Sequence, residues 1–284
     1  MLGLFFLPKT NMKTKVAIQG VKGSYHHEAA ANYLGDEIEL LECDTFKQLA
    51  KALAKGKVDK AVMAIENTIA GAILPNYALI TKYGLKVVGE VYLSIQHQLM
   101  VQKGRTIEDI KEVRSHQMAL LQCDKFLEKH PDWRVVNDVD TALTAKDIVD
   151  QDLDYVAAIA SRKAAEVYGL DILASSIQTF QDNFTRFFVL EREHIDYEDF
   201  NKVSMRFSVN HKSGALVDVL NHIAECGINM DKIQSVPIID KPWEYSFHID
   251  ITFEDRQQYY TLLGKIAKKL TDLEILGEYK KGKE

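Results

Sequence analysis

Residues 183–187, Asn-Phe-Thr-Arg-Phe, set a carboxamide, a hydroxyl and a guanidinium within one short stretch. A threonine hydroxyl is too weak an acid to be an ultimate proton source. Thr185 would act instead by donating a hydrogen bond or relaying a proton, help typically worth about 10²–10⁴ in rate. Standing alone, it would equally open a strand over 185–190 as a β-branched residue. Arg186 could hold a carboxylate with paired donors or serve as a structural ion-pair partner, and the residues leave both open. Residues 65–71, Ile-Glu-Asn-Thr-Ile-Ala-Gly, leave a strand end and enter a helical stretch rich in small residues, whose backbone amides could receive an anion. Ser115 is placed to cap a helix, with His116 beside it. Asn67, Thr68 and Asn183 can hydrogen-bond a ligand or make turns. Metal ligation has no support in the spacing. Cys43, Cys123 and Cys226 are far apart and odd in number, which fits buried thiols in a reducing compartment, and the adjacent His26-His27 reads as an exposed helix face.

These residues need elements to position them. A buried strand fits 15–19, followed by a glycine-containing turn at 20–24 and an alanine-rich helix ending near Gly35. A helix fits 44–55 with Asp44 as its cap and Gly56 as its stop, and a strand resumes at 60–65. Strands at 86–93 and 95–101 precede a helix from Ser115 to about Lys129. The alternation continues with a strand at 134–137, a helix at 141–149, a strand at 155–159 and a helix at Arg162–Tyr168 closed by Gly169. Alternating strands and helices predict an α/β fold with mostly parallel sheets in two lobes and a cleft between them, the second lobe over about 94–170. Ligands of such folds favour the strand ends. Beyond an acidic linker at 193–202, residues 203–284 read as βαββαβ, a ferredoxin-like arrangement.

The 284 residues suffice for this organisation, and their 46% hydrophobic and 27% charged composition is that of an ordinary globular protein. A formal net charge of −6 without a basic run argues against nonspecific nucleic-acid binding. The apolar patch at 2–7 lacks the flanks of a secretion signal, and nothing approaches a membrane span, so a cytoplasmic protein is expected. Residues 1–14 are expected to be a tail, with Met12 a candidate start and no room before Val16 for a further catalytic domain.

Seven segments carry a resemblance in the same order along the chain. They are Gly20-Val21-Lys22-Gly23-Ser24-Tyr25 with Ala29-Ala30, residues 65–71, Ser115-His116-Gln117-Met118-Ala119-Leu120 with Gln122-Cys123, Asp140-Thr141-Ala142, Ala157-Ala158-Ile159-Ala160, Tyr168-Gly169-Leu170, and residues 183–187. Together they resemble the prephenate dehydratases. The resemblance implies a two-lobed, periplasmic-binding-protein-like catalytic region over 15–192. The implied reaction removes the ring carboxylate of prephenate as carbon dioxide and the ring hydroxyl as water, giving phenylpyruvate on the route to phenylalanine without a cofactor. Thr185 is the implied catalytic residue. Ser24, Glu66, Asn67, Thr68, Ser115, His116, Asn183, Arg186 and Phe187 are the implied substrate contacts. A tight clamp on the ring carboxylate would stabilise substrate more than transition state, so donors such as Arg186 or the amides near Ser115 are expected on the pyruvyl carboxylate.

The C-terminal unit resembles an ACT domain, which implies feedback by phenylalanine, with Gly214, Ala215, Leu216 and Asn229 at the regulatory site. Gln234-Ser235-Val236-Pro237 stands where the family has Glu-Ser-Arg-Pro, placing Gln234 and Ser235 at the same site without the acid or the arginine. A homodimer or homotetramer is implied. An arogenate dehydratase, or a non-catalytic two-lobed sensor, is the alternative reading.

Overall fold

The computed structural model describes residues 13–193, 198–238 and 244–283. The chain begins with β1 (Thr14–Gln19), α1 (Tyr25–Leu34), β2 (Ile38–Cys43), α2 (Phe46–Ala54), β3 (Lys60–Asn67), β4 (Gly71–Ala72), α3 (Leu74–Tyr83) and β5 (Lys86–Ser94). It crosses to β6 (Gln98–Val101), β7 (Glu112–His116), α4 (Gln117–Gln122), α5 (Asp124–Leu127), β8 (Arg134–Asp138), α6 (Thr141–Asp150), β9 (Val156–Ala160), α7 (Arg162–Tyr168) and β10 (Asp171–Ala174). It returns as β11 (Phe184–Glu191) and ends with β12 (Lys202–Val209), α8 (Ala215–Glu225), β13 (Asn229–Pro237), β14 (Tyr245–Thr252), α9 (Arg256–Ile266) and β15 (Leu270–Tyr279).

Among the described residues these strands make three sheets, ordered β2-β1-β3-β11-β5 with β4 on β3, β10-β6-β9-β7-β8, and β13-β14-β12-β15. The first two are the lobes, and the third, antiparallel throughout, is the ferredoxin-like unit. The lobe sheets are mixed rather than mostly parallel. β1 runs parallel to β2 and β3, but β11 lies antiparallel between β3 and β5 because the chain re-enters the first lobe from the second. The two crossings are tied together, Ile95 N to Asn183 O at 2.7 Å and Ile177 N to His97 O at 3.0 Å.

Several local expectations are corrected. Thr45, not Asp44, caps α2 by accepting from Gln48 N. Residues 65–71 finish β3 and turn into β4 instead of entering a helix, which begins only at Leu74. Ser115 lies inside β7, His116 is the cap of α4, and the expected long helix is broken at Cys123. β2 is an edge strand with a weak local signal, because the alternation of Ile38, Glu39 and Leu40 breaks at Leu41 and only Cys43 is buried.

The C-terminal unit docks on β5. Leu276 and Tyr279 of β15 belong to the same buried core as Leu49, Met63 and Phe188 of the first lobe. Gly277 permits the approach: a Cβ there would stand 2.0 Å from Val87 O.

Candidate active site

A cleft of about 270 Å³ lies between the lobes, and residues of β3, β11, α1, α4 and the start of α6 line it. Successive side chains of β11 leave opposite faces of the sheet. Thr185 and Phe187 therefore enter the cleft, whereas Arg186 enters the junction with the C-terminal unit.

Asn67 organises the Thr185 side. Its Oδ1 accepts from Ile69 N at 2.9 Å and Ala70 N at 2.8 Å, which fixes which end of the amide is oxygen. Its Nδ2 is thereby aimed at Asn183 Oδ1 at 2.8 Å, Thr185 Oγ1 at 3.0 Å and Phe184 O at 3.1 Å. Thr185 accepts, so its own hydrogen is left for a partner in the cleft.

The network continues across the lobes. Asn183 Nδ2 donates to Gln122 Oε1 at 3.0 Å, and the same oxygen is 2.8 Å from His97 Nε2. With Gln122 Oε1 as acceptor, His97 carries its hydrogen on Nε2, and its Nδ1 accepts from the Tyr25 hydroxyl at 2.9 Å. Burial lowers the His97 pKa and raises that of Tyr25 well above the phenol range, so both are neutral.

His26 is buried beneath the cleft. Its Nε2 accepts from Ala64 N at 3.3 Å, at a bulge where the β3–β11 register slips, and its ring meets the Phe187 ring edge-on at 5.0 Å. Burial pushes its pKa down to about 3. His27 is buried too, its Nδ1 accepting from Gly23 N at 3.0 Å. The exposed-face reading of the pair is thus overturned, because α1 packs into the lobe rather than over it.

Across the cleft Asp140 caps α6. Its Oδ1 accepts from Ala142 N and Leu143 N, both at 2.9 Å, and burial raises its pKa. Its Oδ2 faces Gly20, where a Cβ would stand 2.9 Å away. Neither lysine nor arginine is among the described residues lining the cleft, so an anion there would rely on backbone amides such as those at the start of α1, capped by Ser24.

Of the expected site residues, the cleft therefore gathers Ser24, Asn67, His116, Thr185 and Phe187, with Asn183 buried beneath them. Four stand elsewhere. The Glu66 carboxylate points to the opposite face and pairs with Lys232 Nζ at 2.6 Å. Thr68 Oγ1 closes a turn between Asp182 O and Phe184 N. Ser115, fully buried, donates to Ile159 O at 2.6 Å. Arg186, only 5% exposed, is held by Glu90, Asp250 and the Tyr279 hydroxyl, so it is the structural ion-pair partner and not a substrate anchor.

Tyr25, His26, His97, Gln122 and Asp140 were not among the expected contacts. Tyr25, Gln122 and Asp140 lie inside the seven segments that carry the family resemblance, so their positions were open to a sequence reading. His97 stands alone in sequence and gave no signal. In the C-terminal unit, Gly214 (φ 81°) precedes α8, and Leu216 lines a cavity with Asn210, Lys212 and Tyr245. Asn229 begins β13 at the end away from that cavity, whereas Ser235 pairs with Phe247, which lines it, and Gln234 Nε2 donates to Ser235 O at 2.9 Å.

Among the described residues no helix is long and apolar enough to cross a membrane, and no group of three His, Cys, Asp or Glu could hold a metal ion. Comparison with known proteins is extensive. Residues 16–195 match the family described as prephenate dehydratase. The chain is 37% identical to arogenate dehydratase/prephenate dehydratase 2, chloroplastic, of Arabidopsis thaliana over 94% of its length and 73% of that protein. It is 33% identical to the bifunctional chorismate mutase/prephenate dehydratase of Aquifex aeolicus over 95% of its length and 74% of that protein. Among solved structures, one titled as a novel type of quorum quenching acylase, GqqA, superposes with a TM-score of 0.84 at 27% identity, covering 93% of this chain and 97% of the other. The prephenate dehydratase of Arthrobacter aurescens in complex with L-Phe superposes with a TM-score of 0.83 at 24% identity, covering 94% and 90%. With a family match over most of the chain, close relatives along nearly all of it and Thr185 set in an interlobe cleft, the chain belongs to the prephenate/arogenate dehydratase family of lyases.

Proposed function

We propose that the chain converts prephenate to phenylpyruvate, with Thr185 donating a hydrogen bond to the departing ring hydroxyl. The observation that carries this is the Asn67 amide, which occupies the Thr185 oxygen from behind and leaves its hydrogen for the cleft. As the ring C–O bond breaks, its electron pair leaves with the oxygen, which takes up a proton to become water. The bond to the ring carboxylate supplies the electron pair that completes the aromatic ring, and carbon dioxide departs. Hydrogen-bond donors aimed at the developing charge are worth more in such a secluded site than in water. Helix-start amides at Ser24 are suited to the pyruvyl carboxylate, which stays charged throughout. Arogenate, which bears an amino group in place of the keto group, is the second reading, favoured by the name of the Arabidopsis relative and by Asp140 in the cleft.

Phenylalanine feedback at the C-terminal unit is part of the same proposal. The L-Phe complex of the Arthrobacter enzyme supports it. The distance between Leu216 and Asn229 within one chain suits a ligand shared by two copies, hence a homodimer or homotetramer in the cytoplasm. The neutral Gln234 makes that binding weaker than an acid would. Turnover of prephenate, followed as phenylpyruvate absorbance in alkali, tests the reading with wild type and Thr185→Val, with and without phenylalanine. Loss of about 10²–10⁴ in kcat for the variant is expected. A wild type that turns over neither prephenate nor arogenate would favour the two-lobed sensor instead.

A further inference from the structure

We propose that His97 is a positioning residue for the dehydration: its Nε2–H holds the far end of the hydrogen-bond chain that reaches Thr185, and so helps keep the threonine hydrogen turned into the cleft. The inference rests on the dehydratase reading above, in which that hydrogen meets the departing ring hydroxyl. Three carboxamides make up the chain, and each could face either way. Asn67 Nδ2 donates to Thr185 Oγ1 at 3.0 Å and to Asn183 Oδ1 at 2.8 Å, and Asn183 Nδ2 donates to Gln122 Oε1 at 3.0 Å. The turn amides of Ile69 and Ala70 fix the Asn67 end. Direction then passes along the chain, because a nitrogen at each step demands an oxygen at the next. It ends on His97 Nε2, 2.8 Å from the Gln122 oxygen and therefore its second donor.

The constraint also runs the other way. If Gln122 turned about, its nitrogen would oppose that of Asn183, and Asn183 in turning would oppose Asn67, donor against donor each time. Asn67 could relieve this only by leaving its turn or releasing Thr185. Without His97, Gln122 Oε1 keeps among the described residues only the bond from Asn183. The chain crosses the molecule as it does so: Thr185 and Asn67 belong to the first lobe, Gln122 to the second, and His97 to the crossing between them. The backbone at both ends of the last link is held independently. Gln122 O accepts from Thr179 N at 2.7 Å, His97 O accepts from Ile177 N at 3.0 Å, and His97 N donates to Gln178 Oε1 at 3.0 Å. What remains for the imidazole to fix is the side-chain amide. At 2% exposure no bulk water stands ready to replace its donor. The Tyr25 hydroxyl, 2.9 Å from Nδ1 and 3.1 Å from Gln96 O, gives its hydrogen to the ring, because the other tautomer would set a bare Nε2 against the Gln122 oxygen.

The test measures kcat and KM for prephenate and for arogenate, which lose the same ring hydroxyl, on the full-length wild type, His97→Gln, His97→Asn and His97→Met, with thermal melts on each. His97→Asn is also made in the Thr185→Val background. All three substitutions lose the ring that meets Tyr25 edge-on at 5.7 Å, but only the glutamine nitrogen reaches the place of Nε2. His97→Gln should therefore keep kcat within about threefold of wild type. His97→Asn and His97→Met should each lose about tenfold in kcat, the scale of one hydrogen bond, with KM changed by less than about threefold. On Thr185→Val the asparagine should lower kcat by less than about threefold, since the hydroxyl that His97 serves is gone. Equal losses in all three single variants, no loss in the folded His97→Asn or His97→Met, or the full tenfold loss on Thr185→Val would show that the ring only packs. Any of these would overturn the role of His97 while leaving the dehydratase reading standing. Turnover of neither substrate by the wild type would overturn both.

Discussion

Because the N–H groups of Ile69 and Ala70 both end on Asn67 Oδ1, the nitrogen of that amide has to face Thr185, and the direction of one hydroxyl hydrogen follows from a turn. Asn67→Asp would keep the turn and replace the donor by an acceptor. The Thr185 hydrogen would then be spent on the carboxylate, and Asn183 Oδ1 would face a second acceptor. The expected result is a loss of about 10²–10³ in kcat with a much smaller change in KM, since the lost contact is made chiefly to charge that develops as the bond breaks. Steady-state kinetics decide it, and a kcat within threefold of wild type would refute the role given to Asn67. At this scale the sequence was legible for residue identity and less so for direction. A strand at 185–190 already implies that Arg186 leaves the opposite face from Thr185, and the same period separates Glu66 from Asn67. His97 could not be found this way, since its partners Tyr25 and Gln122 are 72 and 25 residues distant.

Arg186 shows what β11 does as an element. One face of the strand carries Thr185 into the cleft, and the other carries a guanidinium into a buried cluster of Glu90, Asp250, Lys202 and Tyr279 that joins the first lobe to the C-terminal sheet. Burial alone would raise the Asp250 pKa, but the Arg186 charge beside it holds it below the usual range. Removing one member strands the others. Asp250→Ala should cost about 3–5 kcal/mol, because Arg186 keeps only one of its two carboxylates and the Ser204 hydroxyl only Tyr279, all away from water. Urea denaturation measures this, and a change under about 1 kcal/mol would mean that the cluster relaxes or hydrates freely. The elements themselves were largely legible, since helix stops such as Gly169 and the alternation of β14 are local signals. The junction was not. Gly277 against Val87 and Arg186 against Asp250 are contacts between distant segments, and no local periodicity encodes them.

For the molecule as a whole, the two lobes and the βαββαβ unit followed from the order of elements, whereas the return of β11 into the first sheet depends on pairing that only the assembled chain displays. The assembled chain also buries histidines on both sides of the domain junction. His26 lies under Phe187 in the first lobe, and His248 of the C-terminal sheet meets Tyr77 of the first lobe at 4.9 Å. Burial lowers their pKa values from 6.5 to about 3 and about 4. Between those values and 6.5 the unfolded chain binds protons that the folded one refuses, so stability rises with pH across this window. The stabilisation is complete above about pH 6.5 and is lost as the pH falls toward 4 and then 3. His248 alone should account for a loss on the order of 3 kcal/mol by pH 4, in a place where its failure would loosen the docked unit. His248→Gln removes the titration while keeping a polar group. Its melting temperature should therefore decline less steeply than wild type between pH 6.5 and pH 4, whatever its value at neutrality. Parallel declines in calorimetry would show that His248 takes up its proton without opening the junction.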